Sequence, residues 1–396
     1  MKNLILIYSG GLDTSVCIPL LREEYGYDQL ITVTVDMGQP RADIQQAEEK
    51  ARALGTEHYT VDARREFAAD YVFAAIRANG DYEGYPLSTA IGRPLIATCA
   101  ARVAERLGVT AFAHGSTGKG NDQFRIEFTL RALVPEPTII APMRERNLTR
   151  REEVEYALAK GVPVAATAEK IWSIDENLWG RSIEGGRLEE PDYSPPEEIF
   201  QWTLPPDRCP DRPREVTVGF QNGVPVSLDG EPLEPLPLIQ AAHRIAGENG
   251  VGRIDIIEDR MLGLKVRENY ECPAAVLLLT AHRALEALVL TRDELAFKRL
   301  VDQKWGELAY AGLWLDPLKQ ALEAFIARTQ ERVEGEVRLR LYRGSCQVIG
   351  RHSGWALYSE ALSSFDDKTF DQRETTGAVK THGLQAQMLQ ALRARR

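Results

Sequence analysis

The chain has 396 residues, 44% of them hydrophobic and 27% charged, with a formal net charge of -10. That length suits two domains around a large core, and the acidic balance excludes a general binder of nucleic acid. The apolar runs are too short for a membrane span, the five scattered cysteines form neither a zinc spacing nor a disulfide framework, and the start lacks a signal peptide, so no membrane partner and a cytoplasmic location are expected.

The first predicted element is a strand over residues 4–8, which runs into Ser9-Gly10-Gly11-Leu12-Asp13-Thr14-Ser15 and then into an apolar-periodic helix. Gly10 and Gly11 allow a sharp turn with bare N–H groups, and the helix start adds unpaired donors and a partial positive charge. Ser9, Thr14 and Ser15 add hydroxyls, which makes a cradle for phosphate. Asp13 would repel phosphate unless a cation lay between, so it reads as a Mg²⁺ partner or a water-mediated Mg²⁺ contact. The alternative is a plain glycine turn with Asp13 or Thr14 as a helix cap. A Walker loop is excluded, because the GxxxxGK[ST] spacing is absent. Pro19 predicts a kink or an early end to the helix. The string resembles the PP-loop of the N-type ATP pyrophosphatases, which cut ATP between its α and β phosphates.

Further strands are predicted over 30–36, 57–62, 110–114 and 138–141, with helices between them, one over 42–54 ending at Gly55 and one capped by Thr149 with Glu152 and closing at Gly161. This alternation predicts an α/β fold with a parallel sheet, whose carboxyl ends bring SGGLDTS, the Asp36 loop and the His114 loop to one edge. The stretch 190–213 is rich in proline and predicts a long ordered excursion or an interdomain segment. A hairpin follows over 216–228 around Asn222-Gly223, then helices over 238–248, 274–290 and 318–332 and a strand pair over 337–342 and 346–350, an α+β region. Residues 384–393 read as a charged amphipathic interaction helix. The expected domains are 1–165, 166–365 and 366–396.

The second dense constellation is HGSTGKGNDQFRIE, from His114 to Glu127. Its glycines follow a strand, and Thr117, Lys119, Asn121, Asp122 and Arg125 place both signs of charge in one loop, which suits a zwitterion. His114 reads equally as a base or as a structural residue.

With YSGGLDTS, HGSTGKGNDQ, EKIWSIDENL, GVGRIDIIEDR and KVRENYECP in this order, nearly the whole chain resembles the argininosuccinate synthase family. The resemblance implies a nucleotide-binding domain of the adenine nucleotide alpha hydrolase type, an α+β synthetase domain and a C-terminal helical arm used in a homotetramer. It implies AMP-forming ligation of L-citrulline to L-aspartate with ATP and Mg²⁺, through attack of the ureido oxygen on the α-phosphorus and then of the aspartate amine on the adenylate. Carried over by position, Ile7, Tyr8, Ser9, Gly10, Gly11, Leu12, Asp13, Thr14, Ser15, Val35 and Gly115 would bind ATP. Aspartate would meet Thr117, Asn121 and Asp122. Citrulline would meet Tyr85, Asn121, Arg125, Ser173, Ser182, Glu258 and Tyr270. Catalysis would rest on Asp13, Lys119, Asp122 and Arg125. The chain departs from the family pattern at Ala90 and Val266, each in place of a serine, and at Asp259, in place of an asparagine; Thr89 is the neighbour able to offset Ala90. The rival readings are another PP-loop ligase, such as one that modifies tRNA, and an inactive nucleotide-binding protein on the same fold.

Overall fold

The computed structural model describes residues 2–163 and 172–396. Five β-rich segments near the start form a parallel sheet: β1 (Asn3–Ile7), β2 (Gln29–Asp36), β3 (Glu57–Asp62), β4 (Ala111–His114) and β5 (Thr138–Ile140), in the order β3-β2-β1-β4-β5. Leu4, Ile5 and Leu6 of the central strand are completely buried, as a parallel strand covered on both faces requires. The strand order reverses between β1 and β4, so the loops leaving these neighbours open one crevice at their carboxyl ends.

Helices α1 (Leu12–Glu23), α2 (Arg41–Ala53), α3 (Ser88–Leu107), α4 (Asp122–Leu133) and α5 (Arg150–Ala159) accompany the sheet. The expected capping box is present at α5, where Thr149 and Glu152 each bond the other's backbone N–H. The early end expected at Pro19 does not occur: α1 continues to Glu23. Val16, Cys17, Ile18, Leu20 and Leu21 are buried on either side of the proline, and this packing outweighs one missing helical hydrogen bond.

The second half carries two antiparallel sheets. One joins β6 (Ser173–Asn177), β7 (Gly180–Glu184), β11 (Arg253–Asp259) and β12 (Lys265–Glu271) in the order β11-β12-β7-β6. The other joins β8 (Arg214–Gln221), β9 (Val224–Leu228), β10 (Glu231–Pro232), β13 (Gly335–Tyr342) and β14 (Ser345–His352) in the order β10-β9-β8-β13-β14. The predicted hairpin is β8–β9, and Asn222 and Gly223 turn it with φ of 50° and 72°. Helices α6 (Pro235–Glu248), α7 (Pro273–Val289), α8 (Arg292–Tyr310) and α9 (Pro317–Gln330) complete this half.

The proline-rich excursion is tied down by arginines and a buried carboxylate: Arg267 Nη1 donates to the Glu190 and Tyr193 carbonyls at 2.7 Å, and Arg253 reaches Thr203 Oγ1 at 2.9 Å and the Thr203 carbonyl at 3.0 Å. Glu271 accepts the backbone N–H groups of Gln201, Trp202 and Thr203 at 3.0, 2.8 and 2.9 Å, the Thr203 hydroxyl at 2.8 Å and Arg181 Nη1 at 2.9 Å. A charge with that many donors is satisfied in the core.

The chain divides into two compact units, Met1–Trp355 and Ala356–Arg396. The second unit ends in α10 (Leu384–Arg393), and none of its residues is buried. Residues 164–171, including Glu169, Lys170 and Ile171 of the EKIWSIDENL string and the expected domain boundary at 165, lie outside the described residues.

Candidate active site

Gly10 has a φ of 76°, and a Cβ there would sit 2.7 Å from Ala47 Cβ, so only glycine lets the loop after β1 pass α2. Gly11 is the N-cap of α1 and no side chain caps the helix, leaving its first-turn amides open to an anion. Asp13 and Thr14 therefore lie inside the first turn rather than at the cap. Ser9 Oγ lies 3.2 Å from Thr14 Oγ1, and Tyr8 Oη lies 2.9 Å from Ser15 Oγ, so the hydroxyls hold one another at the mouth. Ile7 and Val35 are buried strand residues beneath the loop.

Asp13 Oδ1 accepts from Arg150 Nη1 at 3.0 Å, and Arg150 also bonds Glu153 at 2.9 Å. Burial, and after it the nearby Asp13, pushes the Glu153 carboxyl up to about 8. Among the described residues no three His, Cys, Asp or Glu side chains form a metal cage. Asp13, as a single carboxylate ligand, still fits Mg²⁺, which takes one or two carboxylates with substrate phosphates and water as its other ligands.

The loop after β4 lies directly against this cradle. A Cβ on Gly115 would fall 2.8 Å from Thr14 Cγ2, so the two loops touch because position 115 has no side chain. Thr117 and Lys119 are exposed in that loop, whereas Asn121 is buried at its end. Asn121 Nδ2 donates to Tyr310 Oη at 2.8 Å, and its Oδ1 accepts from the Met261 N–H at 3.2 Å.

Asp122, at the start of α4, accepts from Arg93 Nε at 2.8 Å and from Arg125 Nη1 at 3.1 Å. Burial alone would raise its carboxyl, but the two guanidiniums, Arg93 first, outweigh it and hold the group below its ordinary value. Arg93 also pairs with Asp175 on β6, which ties the loop after β4 to the antiparallel sheet. Arg125 is buried, donates from Nε to the Tyr310 carbonyl at 3.0 Å and stands 5.1 Å from that ring's centre.

On the sheet, Glu258 accepts from Tyr310 Oη at 2.8 Å and from Tyr270 Oη at 2.9 Å, one hydroxyl on each carboxylate oxygen. Tyr85 stacks on Tyr270 with centroids 4.3 Å apart, and Tyr82 stacks on Tyr310 at 3.7 Å. Ser182 pairs with Tyr270 on one side and Asp175 on the other, and Ser173 lies exposed on the edge strand β6 opposite Glu184. Arg260 reaches Glu184 at 2.7 Å and Glu268 at 2.6 Å. Burial first, then Glu184 and Glu258, pushes the Glu268 carboxyl up to about 9.

The departures from the family pattern fall unevenly. Asp259 is paired with exposed Lys265 at 2.8 Å, away from the Glu258 carboxylate. Val266 lies opposite Glu258 in the ladder, and Ala90 is buried with its N–H 3.3 Å from Tyr85 Oη. Thr89 Oγ1 accepts from that hydroxyl at 2.8 Å.

His114 is buried, with Nδ1 accepting from the Ser116 N–H at 3.2 Å and Nε2 3.3 Å from Glu127. Both ring nitrogens are engaged, which favours its structural reading. Sequence reasoning missed Arg93, Asp175, Tyr82 and Tyr310, which join the predicted residues to one another. The signal for Tyr310 was Gly312, a helix stop after an amphipathic run, but nothing local said where that helix end would dock.

Two family models match the chain in succession. One described as the arginosuccinate synthase N-terminal HUP domain matches residues 3–163, and one described as the arginosuccinate synthase C-terminal domain matches residues 172–389. A relative named argininosuccinate synthase from Methanocaldococcus jannaschii is 59% identical over 394 residues, covering 99% of this chain and 98% of its own. Relatives of the same name from Methanosarcina barkeri and Methanopyrus kandleri are each 56% identical, the first over 98% of both chains and the second over the whole of both. A solved structure described as a predicted subunit of a tRNA methyltransferase from M. jannaschii is similar over 44% of this chain and 78% of its own, at 15% identity and a TM-score of 0.28, too distant to bear on function.

Proposed function

The chain belongs to the argininosuccinate synthase family, and from that premise we propose how its residues divide the work. It is an AMP-forming carbon–nitrogen ligase that joins L-citrulline to L-aspartate with ATP, releasing AMP and pyrophosphate, in arginine biosynthesis. The reaction runs in two steps. The ureido oxygen of citrulline attacks the α-phosphorus and pyrophosphate leaves; the aspartate amine then attacks the activated carbon and AMP leaves with that oxygen.

The loop Ser9–Ser15, with Ile7, Val35 and Gly115, takes the nucleotide, and its open helix start holds the departing pyrophosphate. Mg²⁺, when bound with ATP at Asp13, would neutralise phosphate charge. Thr117, Asn121 and Asp122 take aspartate. Arg125, Ser173, Ser182, Glu258, Tyr270, Tyr85 and Asn121 take citrulline, with Glu258 accepting from its nitrogens and Arg125 facing its carboxylate. Lys119, exposed in the loop after β4, offsets phosphate charge. Reactions of this kind depend on positioning and charge neutralisation, and no side-chain nucleophile is needed.

One observation carries the reading: Gly115 lies against Thr14, so the phosphate cradle and the amino-acid loop share one crevice. The division 1–165, 166–365 and 366–396 into nucleotide-binding, synthetase and arm segments, a homotetramer and a cytoplasmic location belong to the same proposal. No helix among the described residues is long and apolar enough to cross a membrane.

The purified chain given ATP, Mg²⁺ and aspartate, with and without citrulline, is expected to form AMP, pyrophosphate and argininosuccinate in equal amounts only when citrulline is present. AMP formation without citrulline would overturn the reading.

A further inference from the structure

Tyr310 lies outside every motif that carries the family resemblance, at the last residue of α8, and it is almost wholly buried. Its hydroxyl nevertheless donates to Glu258 Oε1 at 2.8 Å and accepts from Asn121 Nδ2 at 2.8 Å. Its carbonyl accepts from Arg125 Nε at 3.0 Å, and its ring is clamped against Tyr82 at 3.7 Å. Burial, then Glu258, raises the phenol's pKa, so it stays a protonated donor at neutral pH.

We propose that Tyr310 is a positioning residue that couples the two amino-acid subsites, its single hydroxyl setting the Glu258 carboxylate for citrulline and the Asn121 amide, which serves aspartate as well as citrulline. This rests on the assignment of those subsites above. One oxygen serves both partners, so a substrate that orders one of them orders the other through it. Such coupling is reciprocal: each amino acid tightens the site of the other. The stack on Tyr82 and the helix end fix the ring, which leaves the hydroxyl little freedom to follow only one partner.

The full-length Tyr310→Phe variant keeps the ring and its stack and removes only the shared oxygen. The KM for citrulline and the KM for aspartate should rise together, roughly tenfold each, while the KM for ATP stays within about twofold of wild type. Saturating aspartate should lower the citrulline KM in the wild type and no longer do so in the variant. A rise in one amino-acid KM alone, an equal rise for ATP, or retained dependence on aspartate would overturn the proposal. Should the variant melt well below the wild type, the double-mutant cycle of Tyr310→Phe with Glu258→Gln, read as aspartate KM, decides: non-additive effects support the coupling and additive ones overturn it. Wild-type formation of argininosuccinate, measured alongside, tests the functional reading separately.

Discussion

Asp122 and Glu127 lie five residues apart on α4, and arginines hold both carboxylates for different ends. Asp122 stands between Arg93 and Arg125, so its charge is neutralised before any substrate arrives, yet its remaining lone pairs can accept from an ammonium group. Asp122→Ala should therefore raise the KM for aspartate by roughly tenfold or more, with a much smaller effect on ATP; equal effects in steady-state kinetics would remove the assignment. Glu127 is held down to about 2, first by its bond to His114 and then by Arg144 and Arg131. The stability it contributes is complete above its ordinary value of 4.5 and is lost as pH falls toward about 2. Glu127→Gln should lower the urea midpoint at neutral pH, by about 1–2 kcal/mol of stability, and the gap should close in acid. A gap that did not change with pH would contradict this. The residue types of the site were legible in the two loops because glycine, hydroxyl and mixed charge so close together have no packing purpose. Arg93 and Tyr310 were not legible, because their partners lie 29 and 52 residues or more away and only the fold brings them near.

At the scale of elements, the parallel sheet was legible because each strand is a short β-preferring run with a turn or cap beside it; β3 falls on residues 57–62 as expected. The sheet that holds Glu258 and Tyr270 was missed. Its strands carry SIDEN, GRSIE, RIDIIED and KVRENYE, whose acidic residues, some buried and some exposed, blur the alternation that marks a strand. Helix α8 was missed as well, because its buried Lys298 and Asp302 read as surface charges until they are seen paired at 2.7 Å. Pro19 misled in the other direction, a strong local signal overridden by packing. The proline-rich excursion has only a short 3-10 turn, Glu197–Ile199, and its 201–203 segment hangs on Glu271. Glu271→Ala, which takes one of two carboxylates from buried Arg181 and the acceptor from three backbone N–H groups, should cost about 3–5 kcal/mol. It should also open residues 200–213 to limited proteolysis. An unchanged cleavage pattern and urea midpoint would show that the excursion is held by something else.

At the scale of the whole molecule, the unit Ala356–Arg396 places Leu384, Met388, Leu389 and Leu392 on α10 with each side chain about half exposed or more. The spacing gives a single apolar stripe, which suits an arm that packs on another copy of the chain. A chain ending at Trp355 should sediment as a smaller species than the full chain, which is expected to be a tetramer; identical oligomers would contradict the arm's role. In the proposed reaction one crevice first activates citrulline on the α-phosphate of ATP and then passes it to aspartate. Citrulline carrying heavy oxygen in its ureido group tests this most directly, with mass spectrometry of the AMP formed. One heavy oxygen is expected in the phosphate of each AMP, and AMP without the label would contradict this route.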